Sequence, residues 1–332
     1  MSDIRKILIA VKNPDARRQP GVEKAVHIAR RLGASVEFFH AISTPVFLEL
    51  EPLTGRSVAE IKREALALRG ARLEKLATRA RKLGVKATST VTWDFPPHEA
   101  IVRGAHRAGA DLIVAECHEG RRLKPWLLHL TDWELLRLSP LPVLLLKNTQ
   151  RWRQPTVLAA VDPSHAHAKP ARLDSAIVAH ATAFTRALRG TFELMHANFP
   201  TAFGVAVGDP AIDAMTLAAA YDQQKERSRK TFEAFADKAR IPRTSRHLVD
   251  TDPLFAIPHV ARKLGADLVV MGALSRSGLK RVFIGNTAER VLDELPCDVL
   301  VVKPAKAAPR VEAKPRGMRV VPPTPLSPAL MI

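Results

Sequence analysis

The sequence predicts an α/β fold of two tandem, doubly wound units, each built on a five-stranded parallel sheet, followed by a disordered C-terminal tail. Three observations support this prediction: a long internal repeat, an alternation of apolar runs with helical stretches, and a proline-rich end. The expected divisions are residues 1–150, residues 151–304 and a basic, proline-rich tail over residues 305–332. A chain of 332 residues also suits two domains of ~100–200 residues each.

The internal repeat has a spacing of 156 residues over most of its length, and the spacing falls to 150 at the first strands, RKILIAV (5–11) and QPTVLAAV (154–161), because the second copy carries a six-residue insertion. Three pairs of segments keep the spacing of 156 residues: AHRAGADLIVAE (105–116) with ARKLGADLVVMG (261–272), PVLLLK (142–147) with DVLVVK (298–303), and VEFFHA (36–41) with FELMHA (192–197). Several segments that share one offset indicate the tandem duplication of a single structural unit.

Within the first unit, short apolar runs alternate with amphipathic stretches in the order βαβαβαβαβ. Gly33 and Gly84 end the first two helices, and Pro96 and Pro97 open the third. The predicted elements are a strand at 7–11, a helix at about 21–32, a strand at 35–41, a helix at about 56–82, a strand at 85–91, a helix to about 108, a strand at 111–116, a helix near 129–138 and a strand at 142–147. Strands that are apolar on both faces are typical of buried parallel sheets, and right-handed crossovers then give a doubly wound sheet.

The candidate site follows from this topology. In a doubly wound sheet, ligands bind outside the carboxyl ends of the strands, at the point where the winding reverses. The first and fourth strands of each unit flank that point, so the residues directly after these strands are the candidate site residues.

A glycine-containing loop, MGALSRSGLKRVFIGNTAERVLDEL, follows the fourth strand of the second unit. Gly272, Gly278 and Gly285 lie between that strand and a helix that Asn286 and Thr287 open as capping-type residues. Glycines allow the backbone to approach a phosphate, and a helix N-terminus offers N–H groups and partial positive charge. The loop is therefore a candidate phosphate site; a loop whose glycines serve only as turns is the alternative.

These segments resemble the universal stress protein family, in its tandem E-type form, over roughly residues 4–304. The resemblance rests on the first strands ILIAV and VLAAVD, on TDWELLRLSPLPVLLLK in the first unit, and on VVMGALSRSGLKRVFIGNTAERVL with CDVLVVK in the second. It implies doubly wound domains of the universal stress protein and adenine nucleotide alpha hydrolase-like type. It also implies that the two units pair about a pseudo-two-fold axis through their last strands.

The resemblance further implies a site in the second unit for ATP, with Mg, or another adenine nucleotide. Nucleotide-binding members have a G-x2-G-x9-G-[S/T] loop and an Asp after the first strand. Gly272 and Gly285 match the first and third glycines, whereas Ser275 stands at the second and adds a side chain where the backbone has to approach a phosphate. The predicted ligand-binding residues are Asp162, Ala197, Met271, Gly272, Ser275, Gly278, Gly285, Asn286 and Thr287.

The first unit lacks this pattern. The corresponding residues there are Glu116, Glu119, Arg122 and His129 in the loop, and Lys12 in place of Asp162. Two carboxylates would repel the phosphates of a nucleotide. We therefore expect the first unit not to bind ATP and to act as the structural partner of the second.

The predicted function is that of a ligand-responsive protein of the cellular stress response, without catalytic residues. One alternative is a slow ATP hydrolase, for which Asp162 is the visible candidate for placing a metal. A second alternative is a binder of a non-nucleotide apolar or anionic ligand, which the apolar insertion at 199–215 favours. Weak nucleic-acid contacts through the basic tail form a third alternative, favoured by the net charge of +18.

Other patterns argue against further chemistry. Two cysteines exclude a disulfide framework, and Cys297 is expected in the core. His165 and His167 lack a third nearby His or Cys ligand, so no metal site is predicted. No apolar run reaches the ~18–20 residues of a membrane span, and the N-terminus lacks a signal-peptide core, which together predict a cytoplasmic protein.

Overall fold

The computed structural model describes residues 4–47, 55–117, 125–164, 172–199, 214–272, 291–302 and 311–321. The first unit comprises β1 (Lys6–Ala10), α1 (Pro20–Leu32), β2 (Ser35–Ile42), β3 (Val46–Phe47), α2 (Val58–Lys82), β4 (Ala87–Trp93), α3 (Pro97–Ala108), β5 (Leu112–Glu116), α4 (Pro125–Leu138) and β6 (Val143–Leu146). The second comprises β7 (Thr156–Val161), α5 (Leu173–Leu188), β8 (Thr191–Ala197), α6 (Ala214–Lys238), β9 (Arg246–Val249), α7 (Pro253–Leu264), β10 (Leu268–Gly272) and β11 (Asp298–Val302). One further strand, β12 (Val320–Val321), lies in the tail.

The predicted tandem α/β fold is confirmed, and its two units share one sheet of ten strands. The strand order is β4-β2-β1-β5-β6-β11-β10-β7-β8-β9. Neighbouring strands are parallel within each unit. The units join through their last strands, β6 and β11, which pair antiparallel with Leu144 opposite Leu300. The winding reverses between β1 and β5 in the first unit and between β7 and β10 in the second, as the sequence predicts.

Local sequence signals account for the helix boundaries. Ser57 and Glu60 form a capping box at the start of α2, in which the Ser57 hydroxyl accepts from the Glu60 N–H and the Glu60 carboxylate accepts from the Ser57 N–H. Gly33 ends α1 in the left-handed conformation, with φ of 70°. The helix predicted near 129–138 begins earlier than expected, because Pro125 opens α4.

Two apolar layers cover the two faces of the sheet, and each runs through both units. Along β1, Ile7 and Ile9 belong to one layer and Leu8 to the other, as strand alternation requires. The first layer also contains Phe184 of α5, and the second contains Val299 of β11. Burying a side chain of the size of valine, leucine or isoleucine contributes about 1.5–3 kcal/mol. Because each layer contains residues of both units, this hydrophobic stabilisation extends across their junction.

A buried ion pair crosses the junction between the units. The Lys24 ammonium of α1 contacts the Asp298 carboxylate at the start of β11, and both side chains are fully buried. Lys24 also donates to Asn148 Oδ1 at 2.9 Å and lies 4.8 Å from the ring centroid of Trp152. Burial raises the pKa of Asp298, while Lys24 and the N–H groups of Lys147 and Asn148 oppose that shift.

The tail contains a segment with defined contacts. Its composition predicts disorder because prolines and basic residues cannot form a core of their own. Residues 311–321 instead lie on the first unit, where β12 pairs parallel with β3. The contacts of this segment are made with residues of the first unit, and the composition of the tail carries no information about them. The two-residue strands β3 and β12 were not predicted.

Candidate functional site

The second-unit crevice, formed by the carboxyl ends of β7, β8 and β10, contains the candidate site. Met271 of β10 lies opposite Ala160 of β7, and His196 of β8 lies opposite Val161. The residues that follow these strands therefore converge on one edge of the sheet, where the strand order reverses.

Asp162 follows β7 and presents a carboxylate at this edge. Its N–H donates to Asp174 Oδ1 at 3.0 Å, which fixes the turn toward α5. Its Oδ1 accepts from the Ser164 hydroxyl at 3.1 Å, and 34% of its side chain is exposed. Asp162 is thus held in place while its carboxylate stays accessible, as the predicted role of a ligand-contacting residue requires.

His196 lies behind Asp162 and was not among the predicted residues. Its Nδ1 is 3.1 Å from the Val161 carbonyl and therefore carries the proton and donates, so Nε2 accepts from the Ser228 hydroxyl at 2.8 Å. The ring is 1% exposed and stacks on Phe232 at 5.6 Å. The repeat carries the signal: His40, 156 residues earlier, makes the same contact with the Val11 carbonyl at 2.7 Å.

Asn198 was also missed, and it has the clearest unmet hydrogen-bonding capacity in the crevice. It follows Ala197 at the end of β8 and is 3% exposed. Its Nδ2 donates to Asp250 Oδ1 at 2.8 Å, but its Oδ1 is buried with no hydrogen-bond partner within the described residues. A salt bridge from Lys225 at 2.8 Å holds Asp250 and, with Asn198, lowers the pKa of that carboxyl.

Three of the predicted site residues lie at the carboxyl ends of β8 and β10 and also pack against neighbouring residues: Ala197, Met271 and Gly272. Met271 is 6% exposed and belongs to one apolar layer, against which Ala197 also packs. A Cβ on Gly272 would lie 2.7 Å from Leu173 Cδ2 and 3.3 Å from Ile177 Cδ1. The glycine at this position is therefore explained by its contact with α5.

The remaining predicted residues lie outside the described part of the chain: Ser275, Gly278, Gly285, Asn286 and Thr287. Their roles remain predictions. His165 and His167 also lie outside it.

The first-unit crevice, at the carboxyl ends of β1 and β5, is built differently. It holds a cavity of about 390 Å³ lined by Lys12, Arg18, Glu116 and Cys117, among others. A Cβ on Gly21 would lie 2.7 Å from the Glu116 carboxyl carbon, so the Glu116 side chain occupies the space over the first turn of α1. Desolvation lowers the pKa of Lys12, with Asp132 and Glu116 opposing the shift.

The two crevices thus differ by a reciprocal exchange of side-chain size. In the first unit, Glu116 ends the fourth strand and faces Gly21 of α1. In the second unit, the strand ends in Gly272 and faces Ile177, which lies 156 residues after Gly21. The first unit fills this contact with the Glu116 carboxylate, and the second unit fills it with the Leu173 and Ile177 side chains of α5. Glu119 and Arg122 lie outside the described residues, and His129 lies within α4.

The Cys297 thiol is buried, as the sequence predicts. Cys297 is 2% exposed and burial raises its pKa to about 12, which makes it an unreactive core residue. Across the described ranges, no group of three or more His, Cys, Asp or Glu side chains could hold a metal ion. No helix of that same part of the chain is long and apolar enough to cross a membrane.

Comparison with protein families matches the universal stress protein family at residues 3–147 and again at 156–303. The chain belongs to the universal stress protein family. Each of its two units matches the family model separately, in agreement with the repeat and with the antiparallel pairing of the two units in one sheet.

Individual relatives share the tandem arrangement. Universal stress protein E of Escherichia coli K12 is 28% identical over 307 residues, which cover 92% of this chain and 96% of the relative. Universal stress protein E of Photorhabdus laumondii is 26% identical over 311 residues. Among solved structures, PA1789 of Pseudomonas aeruginosa PAO1, described as functionally unknown, has a TM-score of 0.70 at 26% identity and covers 92% of this chain and 95% of its own.

Proposed function

We propose that the second unit of this universal stress protein binds an adenine nucleotide and that the protein acts in the stress response through this ligand. The observation that carries the proposal is the combination of Asp162 and Asn198 at the ends of neighbouring strands. Asp162 offers a partly exposed carboxylate, and Asn198 offers a buried carbonyl oxygen without a partner in the described residues. The equivalent residues of the first unit are Lys12 and Ile42, so this pair of acceptors belongs to the second unit.

The two acceptors suit different parts of a nucleoside. The Asp162 carboxylate accepts from ribose hydroxyls, and the Asn198 Oδ1 accepts from the exocyclic amine of adenine. Because an unpaired buried acceptor costs about 1–3 kcal/mol, a ligand that donates to Asn198 recovers that free energy. In this proposal the loop after β10 receives the phosphates at Ser275, Gly285, Asn286 and Thr287, and Mg²⁺ arrives with the phosphates, as Mg²⁺ usually does.

Equilibrium titration of the full chain with a fluorescent ATP analogue tests the proposal. We expect Asp162→Asn and Asn198→Leu each to weaken binding roughly tenfold or more, because each removes one hydrogen bond made on binding. Gly285→Val is expected to abolish binding, since a branched side chain blocks the approach of a phosphate to the backbone. Lys12→Met is the matched control in the first unit and should leave the affinity unchanged.

Two outcomes would contradict this function, and a third would identify hydrolysis of the bound nucleotide. Unchanged affinity in both Asp162→Asn and Asn198→Leu would place the nucleotide elsewhere. Native mass spectrometry of the purified chain that shows a co-purified ligand without adenine would favour the non-nucleotide alternative. Steady-state release of inorganic phosphate from bound ATP would identify the hydrolase alternative.

A further inference from the structure

Residues 311–321, here called the C-terminal strap, lie in a groove of the first unit although they follow the second unit in sequence. The strap pairs with β3 through its backbone, with Val320 opposite Val46 and Val321 opposite Phe47. The Val46 N–H also donates to the Arg319 carbonyl at 2.9 Å. This is strand addition to a short free edge, the mode by which many domains take up extended peptides.

An apolar contact anchors the middle of the strap. Met318 packs against a small cluster of buried residues formed by Ile42, Val46 and Trp93. The Trp93 indole N–H donates to the Thr44 carbonyl at 3.1 Å, which fixes the ring inside the first unit. Met318 therefore enters a site whose wall is already positioned by other residues.

A charged contact anchors the strap two residues earlier. The Arg316 N–H donates to Asp94 Oδ1 at 2.9 Å, and its guanidinium donates to Glu99 Oε1 at 2.7 Å. Gly317, with φ of 77°, makes the turn between the charged contact and the apolar one. Only glycine adopts this conformation at little cost, so the segment Arg-Gly-Met has a fixed shape in the groove.

The charged wall of the groove is also held by contacts within the first unit. Asp94 is fully buried and forms an ion pair with Arg103 at 2.8 Å, and Arg103 contacts Glu99 at 3.0 Å. All three residues belong to the first unit, on α3 or directly before it. Both carboxylates therefore have a partner within the first unit besides Arg316.

We propose that the first unit contains a peptide-binding groove and that the C-terminal strap is its intramolecular ligand. The groove, formed by β3, Asp94, Glu99 and Trp93, recognises an extended peptide with an arginine, a glycine turn, an apolar residue and two β-branched residues. In the intact chain, the strap is covalently linked to the second unit, whose last strand ends at Val302. This link gives the strap a high effective concentration, so a weak ligand keeps the groove closed.

The test compares the wild-type chain with a strap-released chain in which Arg316→Glu and Met318→Asp are combined. A fluorescent peptide with the sequence of residues 311–321 is titrated into each, and binding is followed by anisotropy. We expect the released chain to bind the peptide at least tenfold more tightly than the wild type. A peptide with Gly317→Val should not bind, because a branched residue resists a positive φ.

Glu99→Gln in the released chain should weaken binding of the peptide roughly tenfold, since it removes the charge that faces the arginine of the peptide. Lys314→Ala in the wild-type chain is the matched control, because Lys314 is exposed, and it should leave the groove closed. Equal binding to the wild-type and released chains, or to neither, would overturn the proposal.

Hydrogen exchange on the full chains gives a second measurement that does not depend on the peptide. The Val46 amide should be protected in the wild type and in Lys314→Ala, and it should exchange faster in the released chain. Unchanged exchange rates of the amides in β1 and β5 would show that the released chain is folded. If the released chain does not fold, the milder Arg316→Gln variant takes its place, and equal Val46 exchange there and in the wild type would contradict the proposal.

Discussion

Lys24 and His180 occupy equivalent positions on α1 and α5, 156 residues apart, but they differ in polar environment. Lys24 is paired with Asp298 and hydrogen-bonded to Asn148. The His180 Nδ1 is buried without a hydrogen-bond partner in the described residues, and burial lowers the pKa of His180 to about 4. Equivalent positions of the two copies thus carry a charged contact in the first unit and, in the second, a histidine whose Nδ1 has no partner in the described residues.

Replacing Lys24 with Met should destabilise the fold strongly. The change leaves the Asp298 carboxylate buried without its counter-charge, which typically costs about 3–5 kcal/mol. Urea denaturation at pH 7 measures the loss. Arg56→Ala, which removes an exposed pair with Glu64, is the control and should change the free energy of unfolding by less than about 1 kcal/mol. A loss for Lys24→Met as small as that of the control would contradict the role of the pair.

His180 should make stability depend on pH. Because its pKa in the folded state is lower than the ordinary 6.5, the unfolded chain binds a proton first as the pH falls. Above pH 6.5 the histidine costs the folded state nothing by this mechanism. Between pH 6.5 and about 4, the free energy of unfolding falls by about 1.4 kcal/mol per pH unit, because the unfolded chain is protonated and the folded chain is not. Between pH 7 and pH 5, the wild type should lose more free energy of unfolding than His180→Leu does, because only the wild type contains this histidine. A pH-independent difference would show that His180 does not titrate this way.

At the scale of the elements, the sequence allowed most of the helices and main strands to be predicted, because apolar periodicity, capping residues and the repeat all agree. The Ser57 capping box and the glycine at Gly33 are local signals of this kind. Strands β3 and β12 could not be predicted, since two residues carry no periodicity and their partners are more than 250 residues apart.

The same limit applies to the candidate site. Asp162 and Gly272 could be placed because they directly follow or end predicted strands. The unpaired Oδ1 of Asn198 could not, because it depends on how the side chain packs after β8. His196 lies between these cases: its recurrence in both copies was visible, but its contact with Ser228 of α6 was not.

Two glycines should respond in opposite directions to the same substitution. A Cβ on Gly190, between α5 and β8, would collide with the Pro155 backbone carbonyl, whereas a Cβ on Gly70 of α2 would meet nothing within 4 Å. Gly190→Ala should therefore destabilise the protein by at least ~1–3 kcal/mol, as overpacking does. Gly70→Ala should stabilise it by about 0.5–1 kcal/mol through helix propensity. Thermal unfolding measures both, and equal shifts would contradict the packing at Gly190.

At the scale of the whole molecule, the two units form one structural body and differ in their crevices. The sheet runs through β6 and β11, both apolar layers cross the junction, and the buried pair of Lys24 with Asp298 spans it. The positive charge is distributed along both units, so it does not by itself mark a site. The two crevices differ at three equivalent positions. The second unit has Asp162, Asn198 and Gly272 where the first unit has Lys12, Ile42 and Glu116.

This continuity predicts that the two units unfold together. Neither unit can lose its last strand without exposing the apolar layers of the other, so urea should produce a single transition. Far-UV circular dichroism and tryptophan fluorescence should give the same midpoint, within error. Two separated transitions would show that the units are independent and that the junction contributes little.

We expect nucleotide binding to be confined to one of the two similar units. Isothermal titration calorimetry of the full chain with a non-hydrolysable ATP analogue and Mg²⁺ tests it most directly, because it counts sites. We expect one nucleotide per chain, with binding weakened by Asn198→Leu in the second unit and unaffected by Glu116→Gln in the first. Two nucleotides per chain would show that both units bind, and one nucleotide that is lost on Glu116→Gln and kept in Asn198→Leu would place the site in the first unit.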